Sequence, residues 1–360
     1  MLARKLALRA AVAVAAAAVA VVAIANTVSA LPFRHGLAAD PPGVSNVIYG
    51  AYVGPAAKGV GALPAWQNFA GGHTTYALDY AAADNWDNVT GPDWALSPWW
   101  GSGRRLVYSV PMFPHKATDT AAASGKSLAR CADGDFDDHW GQLGRNLVSH
   151  RLPTTIVRPG WEFDASWYVW AAHKRQTDYV DCFRHVVTSM RAVAGQRFQF
   201  LWNPTVGLHQ FPAEQAYPGD DFVDFVGVDV YDTSWAAGTY PYPAGASAEQ
   251  RRAIAATVWN TLLNGRQGLQ FWAGFASRHG KRLTIPEWGL SDRTDGHGGG
   301  DNVPFVEGML GFIRDPRNDV AFAMYFDADT AAGDRHRISA ADTRFPQAAA
   351  AYRRLMAELS

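Results

Sequence analysis

Eight apolar, β-branched runs of strand length recur along this chain, and their alternation with helical patterns limits the fold more than any other feature. They read "VIYGAYV" from residue 47, "TTYALDY" from 74, "RLVYSVPMF" from 105, "TTIVRPGW" from 154, "FQFLWNPTV" from 198, "FVDFVGVDVYD" from 222, "RLTIPEWGL" from 282 and "VAFAMYFD" from 320. Between them, Tyr179, Phe183, Val186, Val187, Met190 and Val193 share one face at helical spacing. Further helical patterns run through "DDHWGQLGRNLVSH", "AEQRRAIAATVWNTLL" and "PQAAAAYRRLMAEL". Strands alternating with helices imply parallel pairing and right-handed crossovers, and eight such units fit a closed (β/α)8 TIM barrel. The rival, an open doubly wound sheet, wants a glycine-rich phosphate turn after its first strand. "YVGPAAKGVGAL" contains no G-x-G-x-x-G. No low-complexity linker interrupts residues 41–360, so one catalytic domain is expected there.

The first 30 residues are a different material. "MLARKLALR" carries Arg4, Lys5 and Arg9, an apolar run "AAVAVAAAAVAVVAIA" follows, and "TVSA" offers small residues for cleavage after Ala30. This is the layout of a secretory signal peptide over residues 1–30, with an uncleaved membrane anchor as the alternative. A secreted, extracellular chain meets an oxidising compartment, and its two cysteines, Cys131 and Cys182, are expected to form a disulfide. The net charge is -1 and no basic stretch exists to neutralise a phosphate backbone, which argues against nucleic acid as a partner. A monomer without cofactor or metal is expected. Fourteen tryptophans suit stacking on flat ligands, sugars included.

In a parallel barrel, functional groups gather at the C-terminal ends of the strands. Asp79, His115, Glu162, Asn203, Asp229, Tyr231, Glu287 and Asp327 stand at those positions. The chain has only six glutamates, and Glu162 and Glu287 alone end strongly apolar strands, each with a tryptophan beside it. Burying unpaired carboxylates is costly, so two at corresponding points of one barrel call for a reason. Glycoside hydrolysis supplies one. It needs a carboxylic acid to protonate the leaving oxygen and a carboxylate to attack the sugar carbon. Desolvation by Trp161 and Trp167 marks Glu162 as the acid/base, leaving Glu287 as the ionised nucleophile. Strand alternation places Arg158 on the face of Glu162, where it could hold Glu287 charged, and aligns Gly227, Asp229 and Tyr231, with Tyr231 a donor to the nucleophile.

"RPGWEFDASWYVW" and "TIPEWGL" resemble the acid/base and nucleophile segments of glycoside hydrolase family 26, a clan A (β/α)8 family known chiefly for endo-β-1,4-mannanases. Arg158, Pro159, Glu162, Trp167 and Trp170 match its strand-4 motif, and Pro286, Glu287 and Gly289 its strand-7 motif. Two departures stand out: the family's histidine before the acid/base is Trp161, and its Asn-Gly is Asp164-Ala165. The resemblance implies a retaining endo-hydrolase of a β-linked polysaccharide, β-1,4-mannan foremost, with β-1,3-xylan and mixed-linkage β-glucan as alternatives. Trp167 and Trp170 are expected as stacking platforms for sugar rings, Trp288 on the opposite wall, and His115 and Asn203 as supporting groups. A carbohydrate-binding barrel without turnover is the competing reading, and the intact glutamate pair speaks against it. The acidic "DGDFDDHW" lacks the glycine and glutamate of a calcium loop and reads as a helix start. The glycine-rich stretch 291–302 reads as a loop over the site.

Overall fold

The computed structural model describes residues 47–121 and 124–359, and the signal peptide expected over residues 1–30 lies outside them. Every predicted run became a strand. They are β1 (Ile48–Tyr52), β2 (Tyr76–Tyr80), β3 (Arg105–Val110), β4 (Ile156–Pro159), β5 (Gln199–Trp202), β6 (Phe225–Gly227) with β7 (Val230–Tyr231), β8 (Arg282–Gly289) and β9 (Val320–Phe326). All pairings are parallel, β1 through β6 lie in chain order, β6 and β7 both pair with β8, and β9 closes on β1. The result is a closed eight-stave barrel whose sixth stave is broken into β6 and β7. At the break, Asp229 leaves the ladder with β8 and bridges Thr205 instead.

Around the barrel run α1 (Ala56–Phe69), the single turns α2 (Trp86–Val89) and α3 (Asp93–Leu96), α4 (Gly125–Ala132), α5 (Asp137–Ser149) and α6 (Gln176–Arg191). They continue as α7 (Ala248–Asn264), α8 (Leu269–Arg278), α9 (Val303–Arg314) and α10 (Pro346–Ala357). On α6 the apolar stripe Tyr179, Phe183, Val186, Val187 and Met190 is buried against the barrel, as its spacing predicts. The acids of "DGDFDDHW" precede and open α5, where Asp137 and Asp138 favour the positive end of the helix dipole. Cys131 on α4 and Cys182 on α6 form the expected disulfide.

Side chains fill the barrel in layers. Tyr76, Leu78, Val107, Ile156, Leu201, Phe322 and Met324 form an apolar cluster of their own inside the staves. Alternation along β4 carries Ile156 and then Arg158 into that interior, while Val157 joins the outer core beneath the helices. Arg158 is fully buried, a charge above an apolar plug. Such a charge is tolerated only if carboxylates meet it.

Candidate active site

They do. The Arg158 guanidinium donates through Nη1 to Glu287 Oε1 at 2.5 Å and to Ser109 Oγ at 3.0 Å. Its Nη2 reaches Asp229 Oδ2, and its Nε donates to Asn203 Oδ1 at 3.0 Å. Burial on its own would lower the guanidinium pKa, but Asp229 and Glu287 outweigh it and drive the value up, so Arg158 is permanently charged. Tyr231 OH donates to the other oxygen of Glu287 at 2.8 Å. Glu287 is therefore held by a cation on one oxygen and a hydroxyl on the other, the setting of an ionised carboxylate. Arg158 and Tyr231 both reach Glu287, although β4 ends one residue after Arg158 and the sixth stave breaks before Tyr231.

Glu162 is placed differently. β4 stops at Pro159, and the chain turns through Gly160 at φ +55° and Glu162 itself at φ +52°. Gly160 is required twice over: its φ is left-handed, and a Cβ there would lie 2.7 Å from the Met112 side chain. Glu162 has no such excuse, and a non-glycine residue in this region stores strain that its surroundings must hold. The Glu162 N–H donates to Asn203 O at 2.8 Å, and Trp167 Nε1 donates to Glu162 Oε2 at 2.6 Å. Burial raises its pKa to about 8, the nearby Glu287 charge adds to the rise, and the Trp167 N–H only partly offsets it. One carboxyl oxygen each of Glu162, Asp229 and Glu287 lie within 4.8 Å of one another. Three acids so close could hold a cation, but Arg158 already supplies the countercharge to two of them.

The tryptophans divide by exposure. Trp167 is 55% exposed, lies at the mouth on Glu162, and can present a ring face to ligand. Trp170 is only 1% exposed: its Nε1 donates to Trp161 O at 2.8 Å and its ring stacks on Tyr168 with centroids 4.6 Å apart. Trp288 is likewise 1% exposed and packs against Tyr325 at 5.0 Å. The expectation of stacking platforms at Trp170 and Trp288 is corrected: both are core. Trp288 follows Glu287 in a strand, so alternation turns it outward, under the helices. Trp161 stands where the family has histidine. Its ring lies under the Arg158 guanidinium carbon at 5.4 Å, edges onto Tyr80, and donates from Nε1 to Tyr168 OH at 2.9 Å. It lids the buried charge with a cation–π contact in place of a hydrogen bond.

Asn203, expected as a supporting group, joins Arg158 to the Glu162 backbone. The His115 ring meets Phe113 O at 3.3 Å and the edge of Trp170, and its backbone N–H donates to Ala83 O at 2.7 Å. Two strand-end acids are structural. Asp79 accepts from Ala56 N and Trp99 Nε1, both at 2.8 Å, and Asp327 accepts from Ile338 N at 2.7 Å and Ser339 N at 3.1 Å. Asp164, in the place of the family's asparagine, takes Thr205 N at 3.0 Å and Thr205 Oγ1 at 2.9 Å. Sequence reasoning missed Tyr80, whose buried hydroxyl faces the Glu287 carboxylate, although its place as the last residue of β2 was a usable signal.

A (β/α)8 barrel with two close carboxylates at its mouth, one desolvated and one paired, defines the class: a glycoside hydrolase. Residues 129–244 match the family model described as Glycosyl hydrolase family 26, a segment that includes Arg158, Glu162, Asp229 and Tyr231 but ends before Glu287. Over that segment the chain is similar to glycoside hydrolase family 26, the family its strand-4 and strand-7 motifs resemble. Among solved structures it is similar to a modular endo-β-1,4-mannanase from Cellulomonas fimi, at 18% identity and a TM-score of 0.61, with 87% of this chain and 70% of that one covered. The catalytic domain of a Bacillus sp. JAMB-750 endo-β-1,4-mannanase is similar at 17% identity and 0.57, covering 87% and 85%. A β-mannanase from Bacteroides ovatus is similar at 13% and 0.53, covering 87% and 88%. At these identities the likeness is one of fold. No curated protein matches the chain.

Proposed function

We propose that this chain hydrolyses a β-linked polysaccharide, β-1,4-mannan first among candidates, with retention of configuration. The observation that carries the reading is the pair Glu162 and Glu287, with oxygens inside 4.8 Å and opposite electrostatic surroundings. Retaining enzymes hold their carboxyls about 5–5.5 Å apart, and inverting ones leave room for a water between. Glu287, ionised beside Arg158, attacks the anomeric carbon as the glycosidic oxygen takes the proton of Glu162. The ester so formed removes the Glu287 charge, one of the causes that raise Glu162. The acidity of Glu162 then increases, its carboxylate accepts a proton from water, and that water releases the sugar. Trp167 offers the sugar a ring at the same point.

Mannan is supported by the similar endo-β-1,4-mannanases and by the resemblance. Trp161 and Asp164-Ala165 favour keeping β-1,3-xylan and mixed-linkage β-glucan as second readings, because they alter the shell of the acid/base. The N-terminal signal pattern and the Cys131–Cys182 bond support export of the chain. Among the described residues no helix is long and apolar enough to cross a membrane. The test is reducing-end release from mannan, glucomannan, mixed-linkage β-glucan and β-1,3-xylan, with Glu287→Ala beside it. Release from one polymer that vanishes in the variant establishes reaction and substrate. Affinity without release on all four marks a binding barrel and refutes turnover.

A further inference from the structure

We propose that a groove at the N-terminal end of the barrel, remote from the two glutamates, binds acidic polysaccharide, that is, chains of sugar rings bearing carboxylates. The groove has a volume of ≈ 580 Å³ and is lined by Trp99, Trp100, Arg104, Arg105, Arg151 and Thr154, among others. Arg105 is the first residue of β3, whereas Glu162 and Glu287 stand past or near the C-terminal ends of their strands. A six-residue strand, at about 3.3 Å per residue, separates the two ends by roughly 20 Å.

Two features carry the assignment. The first is uncompensated charge. Arg105 donates to Thr154 O at 2.8 Å and Tyr76 OH at 3.1 Å, and Arg104 to Gly103 O and Gln67 Oε1, all neutral acceptors. Arg104 Nε is buried with no partner. Among the described residues none of these arginines takes part in an ion pair, and Asp93 on nearby α3 is taken by His150 at 3.0 Å. The same end of the barrel holds a second groove of ≈ 280 Å³, and there the arginines are neutralised: Arg282 by Asp319 at 2.8 Å, Arg317 by Asp315.

The second feature is an aromatic face. Trp100 is 56% exposed, and the Arg151 guanidinium carbon stands 4.8 Å above its ring. A tryptophan face suits a pyranose ring, and a guanidinium fork suits a carboxylate. Arg151 is anchored at this spot by the end of α5: it takes the left-handed position after the helix at φ +59°, with its N–H on Val148 O at 3.0 Å and the Leu152 N–H on Leu147 O at 2.9 Å. Together they describe a surface that offers both halves of an acidic sugar. No step depends on the catalytic reading, so the two fail or stand separately.

The test is affinity electrophoresis of the full chain in gels containing polygalacturonate, neutral glucomannan or polyphosphate. Arg151→Gly removes the guanidinium without adding strain, Trp100→Ala removes the ring, and Arg317→Ala is the charge-matched control in the paired groove. Polygalacturonate should bind about tenfold more weakly to each of the first two variants and unchanged to the control. Glucomannan retardation and turnover of a short soluble oligosaccharide should be unchanged throughout. Equal retardation of all variants by polygalacturonate, or an equal loss in Arg317→Ala, overturns the site. Polyphosphate binding as tight as polygalacturonate, indifferent to Trp100→Ala, overturns the claim that it reads sugar.

Discussion

Glu162 works as an acid only while it holds its proton, and burial sets its pKa at about 8. Activity should therefore persist to neutral pH and fall as the pH rises through about 8, visible in a kcat/KM profile. The same shift bears on stability. In the unfolded chain this carboxyl titrates at its ordinary value of 4.5, so folding takes up a proton between the two values, and stability declines as pH rises through that window. Glu162→Gln removes the decline. The variant should melt about 2 °C or more above the parent at pH 8 and level with it at pH 4, while losing about 10²–10⁴-fold in kcat on polymer. An activated aryl glycoside, whose leaving group needs no proton, should be cleaved with much less loss. At Glu287 the hydroxyl of Tyr231 is a charge-assisted donor, and Tyr231→Phe should cost about 10–100-fold in kcat with little change in melting temperature. Both glutamates were legible because six among 360 residues left few places to look. The left-handed backbone at Glu162 was not legible, since nothing but Gly160 announces a turn in "RPGWEF".

At the scale of elements, the site is a junction of strands more than a set of side chains. Arg158 of β4 reaches Ser109 on β3, Asn203 after β5, Asp229 in the broken sixth stave and Glu287 on β8. Replacing it by methionine leaves two buried carboxylates without a cation, and Arg158→Met should lose about 3–5 kcal/mol in urea unfolding. Arg158→Met combined with Asp229→Asn should recover part of that loss without recovering activity. Alternation predicted the inward face of β4 correctly, and applied to β8 it also turns Trp288 outward, away from ligand. Trp170 could not be read this way, because it lies in a loop where no period operates; its burial, its stacking on Tyr168 and its hydrogen bond to Trp161 O identify it as core. The break between β6 and β7 was likewise hidden inside the continuous apolar run "FVDFVGVDVYD".

For the molecule as a whole, the eight-unit rhythm sufficed to foretell a closed barrel, since parallel strands with both faces covered leave few architectures. The pairing of Cys131 with Cys182 was foreseeable from number alone; that it staples α4 to α6 was not. Its ends are 51 residues apart, for which loop-closure entropy gives about 4 kcal/mol. Cys131→Ser with Cys182→Ser should lower the urea midpoint without changing kcat, because neither cysteine touches the mouth.

The longest tie of the Arg158 junction, to Glu287, spans 129 residues. During synthesis, then, the guanidinium of β4 emerges long before its anionic partners do, and the nascent N-terminal half has no way to bury it. A chain cut before β8 cannot close its ring or desolvate that charge. Competence to fold is thereby deferred until β8 has been made, so the chain folds as one unit late in its synthesis and not stave by stave.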